Sequence, residues 1–362
     1  EPDEARYAEV SREMNETGQY LIPQLNYEPR IKKPALYQWM IAGVQRVWPG
    51  SFETASRLPS VMAGAILLFI LAVWGATRGW RTGRVAVLLG IQVSMVMFWM
   101  MARMAMADLW VTACVGGALF GLHTWESRRE RRGVFWLAGL AMAVGFNIKG
   151  PIAWAIPMVV FWAAMAWRGE CRAVWRAAPW GRWLIAVVAL SIPWFIAVIR
   201  VMGENAADFF LGVELLDRFL GDGESRTKGL FFYTGALPLM ILPWTGLFAV
   251  ALRRVWREMR VEGFRAWARA RPLEALSLCW SVGGVIFLSL GSAKMPQYAL
   301  PLLPGWALFC ALVGGGADEG VPADPPPANI GRSVWPWIGG GGVFVLWMVR
   351  DWVPGLLLLA LG

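Results

Sequence analysis

The chain has 362 residues, 57% hydrophobic and only 16% charged, with 24 tryptophans and a formal net charge of +9. Soluble chains carry about a quarter charged residues, so soluble multidomain, disordered, collagenous and coiled-coil classes are excluded and a polytopic membrane protein remains. The cysteines Cys114, Cys171, Cys279 and Cys310 lie far apart with no CxxC pair, and the single histidine, His123, cannot build a metal site or a triad alone.

In chain order, the opening EPDEARYAEVSREMNETGQYLIPQLNYEPRIKKPALYQWM is too polar to span a bilayer. At 3.6 residues per turn, Asp3, Arg6 and Tyr7 share one helical face. From pattern alone, a surface helix laced with ion pairs is an equal reading. An amphipathic stretch at 35–48 follows and suits the membrane interface. Apolar windows then predict spanning helices near 58–77, 85–102, 108–124, 134–148, 151–167, 182–200, 232–251, 273–291, 298–314 and 334–349, with an eleventh from 352. The expected fold class is therefore an all-α polytopic membrane protein of about ten or eleven transmembrane helices with a long extracytoplasmic first loop. The chain starts without Met in a polar segment and stops in an apolar one. It reads as a fragment lacking a first anchoring helix and a C-terminal portion.

Arginine sets the expected orientation. The connections at 78–84, 125–133, 168–182 and 252–272 hold 18 of the 29 arginines and alternate with the others, which places them in the cytoplasm. The basic excess is thus a topology signal, and no nucleic-acid partner is expected. The opposite side holds 1–57, 103–107, 149–150, 201–231 and 292–297, and all five lysines fall there. A solvated loop charge suffices for Lys228. Lys149 and Lys294 sit in turns almost too short to reach bulk water, which favours a polar cavity near the outer leaflet over snorkelling helix ends.

Within 103–108, Asp108 opens a helix, where a carboxylate favours the positive end of the dipole. Arg103 and Asp108 read as scaffold, pairing with each other or with the first loop. The turn Lys149-Gly150-Pro151 uses glycine for its backbone angle and proline for the next helix start. The 201–231 connection carries Glu214 and Arg218. Pro301 and Pro304 interrupt backbone pairing within a span, which is tolerated beside protein or a wet cavity. Residues 315–333 read as a Pro- and Gly-rich cytoplasmic linker. The expected organisation is a first loop over 1–57, a transmembrane core over 58–314, and a linker with the start of a C-terminal membrane region over 315–362.

Two adjacent carboxylates and several outward cations suit the transfer of a group from a lipid phosphate carrier. Carboxylates act as general bases and cations stabilise a leaving phosphate. A transporter or flippase of lipid-linked sugars is the competing class, since it too carries intramembrane charges and broken helices.

The opening PDEARYAEVSREM with the later KKP resembles the first periplasmic loop of the aminoarabinose transferases of lipid A. More distantly it is similar to the protein O-mannosyltransferases. Further motifs fit in order: RxAxxD at 103–108, KGP at 149–151, FFxxVExxxRF at 209–219 and SxxKxPxYxxPxxP at 292–304. The resemblance covers residues 1 to about 305. It implies an integral-membrane glycosyltransferase of the GT-C fold in the bacterial inner membrane, with its site facing the periplasm. The implied donor is a polyprenyl-phosphate sugar and the acceptor a lipid A-like glycolipid or a protein. Asp3 resembles the catalytic carboxylate, Glu4 its companion, and Lys33 the lysine that meets the donor phosphate. Arg6, Tyr7, Lys149, Lys294 and Tyr298 match positions around the same cavity, with Arg103, Asp108, Glu214 and Arg218 as structural support. No cofactor is implied, and a divalent metal is left open. Three positions depart from the family pattern. Lys32 replaces a family Glu, which predicts that a cationic amino sugar is a poorer donor than a neutral or acidic one. Leu215 and Arg226 stand where the family carries histidines.

Overall fold

The structure is a computed structural model and describes residues 2–203, 229–291 and 294–314. Helix α1 (Pro2–Thr17) is followed by a two-stranded hairpin, β1 (Gln24–Leu25) with β2 (Glu28–Pro29), and by α2 (Leu36–Val47). Then come α3 (Phe52–Thr77), α4 (Thr82–Ser94), α5 (Val96–Ala102), α6 (Asp108–Ser127), α7 (Arg132–Lys149) and α8 (Ile152–Arg168). A short α9 (Cys171–Ala177) leads to α10 (Trp180–Ser191) and α11 (Pro193–Met202). After residue 228 follow α12 (Phe232–Met240), α13 (Thr245–Glu262), α14 (Phe264–Ala270), α15 (Pro272–Leu290, with a π turn at Cys279–Gly283), a 3-10 turn (Pro296–Leu302) and α16 (Leu303–Gly314). Every apolar segment expected up to residue 314 is helical. Those at 334–349 and from 352, with the linker, lie outside the described residues.

Length and hydropathy qualify three helices among the described residues to cross a membrane: Phe52–Thr77, Pro272–Leu290 and Pro296–Val313. Three bent pairs raise the number to six. Those bends correct the straight spans expected from sequence. Residues 85–102 divide into α4 and α5 at 70°, 182–200 into α10 and α11 at 44°, and 232–251 into α12 and α13 at 115°. Two breaks support each other. The amide of Val96 donates to the carbonyl of Leu242 at 3.1 Å, and the Trp244 indole donates to Ser94 Oγ at 2.8 Å. Backbone groups freed in two interrupted helices are thereby satisfied inside the protein, as a low-dielectric setting demands.

The basic stretch 252–272, expected as a connection, is helical through α13 and α14. The expected boundary at 57/58 falls inside α3, which starts at Phe52 behind an N-cap in which the Thr54 amide donates to Ser51 Oγ at 3.3 Å. Indoles fill the bundle: Trp74, Trp183, Trp267 and Trp280 are fully buried. Trp280 donates to the carbonyl of Pro301 at 2.8 Å, so the proline-interrupted stretch lies beside protein. Helices α6 and α7 pack so closely that a Cβ on Gly121 would stand 2.8 Å from the carbonyl of Val134. At the far end of α16, Arg84 donates to the carbonyl of Leu312 at 2.9 Å and Arg254 to that of Val313 at 3.0 Å. Two guanidiniums thus satisfy the C-terminal carbonyls that a helix leaves open.

Candidate functional site

The site is built on α1, which lies against α2 through side-chain bonds to backbone. Ser11 Oγ donates to the carbonyl of Gln38 at 3.1 Å, Asn15 Nδ2 to that of Ala42 at 3.0 Å, and Gln45 Nε2 to that of Ala8 at 3.3 Å. Asp3 and Glu4 occupy the first turn of α1, where carboxylates complement the helix dipole. Asp3 accepts from Arg6 at 2.8 Å, and both remain accessible. The surface ion pairs expected of this helix are present as well, from Arg12 to Glu9 and Glu16. Glu4 is committed elsewhere: its Oε1 accepts from Arg57 at 2.7 Å and from the amide of Ala105 at 3.2 Å. It therefore ties α1 to α3 and to the 103–108 turn.

The hairpin returns the chain to α1. Buried Glu13 accepts from the amides of Asn26 at 2.7 Å and Tyr27 at 2.9 Å, which carry φ of 56° and 61°. A left-handed conformation costs a bulky residue roughly 1 kcal/mol or more, and the two charge-assisted bonds offset that strain. Lys33, eight residues past the end of β1 at Leu25, then reaches the Tyr7 hydroxyl at 3.1 Å. Tyr7 stands edge-on to Tyr37 at 5.1 Å, and Tyr37 shares a 2.9 Å hydrogen bond with Ser60. Ser60 in turn donates to the carbonyl of Met106 and accepts from its amide, at 3.1 and 3.2 Å. One small hydroxyl thus fixes the 103–108 turn to α3.

Asp108 opens α6 and pairs with Lys149 at the end of α7, with both side chains almost fully buried. Gly150 adopts a φ of 85°, a value suited to glycine, and lets Pro151 start α8 at once. The Lys149 ammonium lies 4.8 Å from the Tyr298 ring centroid. Lys294 is buried, and the adjoining Met295 carbonyl accepts from Tyr233 at 3.2 Å. Arg103 stacks over Trp99 at 4.8 Å, and the ion pair of Asp108 goes to Lys149 rather than to Arg103.

The motifs at 3–7, 33, 103–108, 149 and 294–298 therefore meet at one end of the bundle, while Glu214 and Arg218 lie outside the described residues. Among the described residues Lys33 makes no ion pair, and its hydrogen bond is to the Tyr7 hydroxyl. Burial works against its charge, but Tyr7, Asp108 and Tyr298 more than compensate, so its pKa stands above the ordinary lysine value. Lys32, by contrast, is exposed. Its repulsion toward a donor amino group is screened by solvent, which removes the basis of the expected preference against amino sugars. Among the described residues no three His, Cys, Asp or Glu side chains gather into a metal site.

Sequence reasoning missed Glu13, Tyr37, Arg57 and Ser60. A carboxylate thirteen residues before an Asn, a residue type enriched in left-handed backbone among those other than glycine, was the one available signal.

Residues 1–202 match the family described as dolichyl-phosphate-mannose-protein mannosyltransferase. The chain belongs to this family. It is 30% identical over 322 residues to the undecaprenyl phosphate-alpha-4-amino-4-deoxy-L-arabinose arabinosyl transferase of Photorhabdus laumondii, covering 87% of this chain and 55% of that relative. To a like-named transferase of Sodalis glossinidius it is 31% identical, covering 87% of this chain and 54% of the relative. It thus spans about half the length of these curated relatives. Among solved structures, ArnT from Cupriavidus metallidurans bound to undecaprenyl phosphate superposes with a TM-score of 0.73 at 23% identity, covering 95% of this chain and 59% of that one. The fold is accordingly the GT-C polytopic membrane fold of this family, and the protein is a multi-pass membrane protein.

Proposed function

We propose that the protein is an integral-membrane glycosyltransferase that moves a sugar from a polyprenyl-phosphate donor to a lipid A-like glycolipid or a protein. One observation carries the reading: Lys33 is a charged ammonium without an ion pair among the described residues, held beside Tyr7 one helical turn from Asp3. Family membership and the activity for which the relatives are named, transfer from an undecaprenyl phosphate sugar, point the same way.

In the proposed reaction the Asp3 carboxylate accepts the proton of the acceptor group. The acceptor oxygen attacks the anomeric carbon, the bond from that carbon to the phosphate oxygen breaks, and polyprenyl phosphate departs with the electron pair. The sugar is inverted by this single displacement. Lys33 stabilises the phosphate as charge develops on it, and Arg6, Tyr7, Lys294 and Tyr298 line the cavity. Preorganised charges of this kind act on the transition state without reorganisation. Glu4, held by Arg57 and Ala105, acts as a positioning residue for the first turn of α1. Arg103 and the Asp108–Lys149 pair brace the cavity wall, and Glu214 and Arg218 are assigned the same supporting role. The arginine distribution supports a site on the extracytoplasmic side of a bacterial inner membrane. The first loop over 1–57 would then supply the acidic motif to a core over 58–314.

The test is incubation of the purified full-length protein with a polyprenyl-phosphate sugar and an acceptor, following free polyprenyl phosphate. Acceptor-dependent release of the carrier is expected. Vectorial movement of an intact donor, with no carrier released, would overturn the reading in favour of a transporter.

A further inference from the structure

Helix α13 changes character along its outward face. Gly246, Ala249 and Val250 are exposed over its first turns, then Arg253, Trp256, Arg257, Arg260 and Val261. The opposite face is buried through Phe248, Ala251, Val255 and Met259. The change occurs where Arg254 caps the end of the span Pro296–Val313 by donating to the Val313 carbonyl. Arg257 and Arg260 then lie roughly 5 and 9 Å further along the helix axis. That is about the depth of the polar headgroup layer, roughly 5–7 Å on each side of the hydrocarbon.

Charge on this face is unbalanced. Glu258 is taken by Arg254 and the Trp267 indole, and Glu262 by Arg271. Arg253, Arg257 and Arg260 make no ion pair among the described residues. Arg260 lies 5.0 Å over the Trp256 ring, which meets Phe264 edge-on at 5.6 Å. Both rings are nearly half exposed, and Val261 is 87% exposed. Arginine with aromatic anchors, apolar on the membrane side and cationic at headgroup depth, matches the chemistry of a phosphodiester surface.

We propose that the face formed by Arg253, Trp256, Arg257, Arg260, Val261 and Phe264 docks the headgroups of anionic phospholipids. The guanidiniums take phosphodiester oxygens, and the two rings seat at the boundary with the acyl chains. This surface is independent of the transferase reading and of which leaflet α13 faces.

The test uses the full-length protein with Cys171→Ser, Cys279→Ser and Val261→Cys, labelled with a nitroxide and reconstituted in phosphatidylcholine vesicles with or without phosphatidylglycerol. With phosphatidylglycerol the label is expected at interfacial depth, shielded from a water-soluble relaxing agent. Arg253→Gln, Arg257→Gln and Arg260→Gln together should release it to water, and phosphatidylglycerol retained by the purified protein should fall roughly fivefold per arginine removed. High salt should produce the same release in the protein with its arginines intact, a comparison that holds even if the triple variant misfolds. A label depth indifferent to phosphatidylglycerol, salt and arginines would overturn the proposal. So would a label in water throughout, which would assign the face to a soluble partner.

Discussion

Lys32 and Lys33 are neighbours in sequence and opposites in environment, one exposed and the other turned in toward Tyr7. The raised pKa of Lys33 has a definite consequence. A group whose pKa is higher when folded stabilises the native state below its ordinary value, 10.5 for lysine, and loses that contribution only as pH rises through the higher value. Donor affinity is therefore expected to show no loss assignable to Lys33 between neutral pH and about 10. Lys33→Ala should weaken donor binding by roughly 10- to 100-fold, the worth of one charge-assisted hydrogen bond. Equilibrium binding of a polyprenyl-phosphate sugar across pH checks both. At this scale the sequence marked the charged residues that gather at one end, because a cation in a short turn between apolar helices needs a partner or a polar cavity, and Lys149 has Asp108. Tyr37 and Ser60 went unmarked. Their value comes from a bond to each other and to Met106, and a residue 46 positions away leaves no mark on the local pattern.

Among the elements, α6 and α7 meet at two levels, Asp108 with Lys149 at the site end and Gly121 against Val134 deeper in the bundle. Breaking a buried ion pair on one side leaves an uncompensated charge and costs about 3–5 kcal/mol. Lys149→Met and Asp108→Asn are each expected to lower thermal stability in detergent by that order. The double variant should lose clearly less than the sum, because its remaining groups are neutral. Strict additivity would show that the pair is not coupled. Helix breaks divide cleanly by legibility. Pro193 opens α11, while Pro238 and Pro243 punctuate the segment that bends by 115°, so two of the three breaks carried a proline signal in the sequence. The break between α4 and α5 carries none. Its freed amide at Val96 is satisfied by Leu242, a partner that only the assembled bundle supplies.

For the whole molecule, helix direction separates two ends without reference to charge. The start of α6, the end of α7 and the 3-10 turn before α16 gather at the site, while the opposite ends carry Arg84, Arg168, Arg254 and Arg269. Cysteines placed at 128–132 and in 253–271 are expected to label from the cytoplasm, and one at the accessible Asp3 from the other side. Labelling of 253–271 in intact cells would reverse the orientation. The helical membrane class was legible, since hydropathy depends on the bilayer and not on tertiary contacts, whereas the gathering of the charged motifs at one end appears only in the assembled bundle. The most direct measurement compares the full-length protein with its Asp3→Asn variant in one assay of donor binding and acceptor-dependent release of polyprenyl phosphate. The amide keeps the size of Asp3 and removes its basicity, so release should fall by about 10²-fold or more while donor binding stays close to that of the unsubstituted protein. Release at an unchanged rate would contradict the assignment of Asp3 as the base and, with it, the reading of this end of the bundle as the active site.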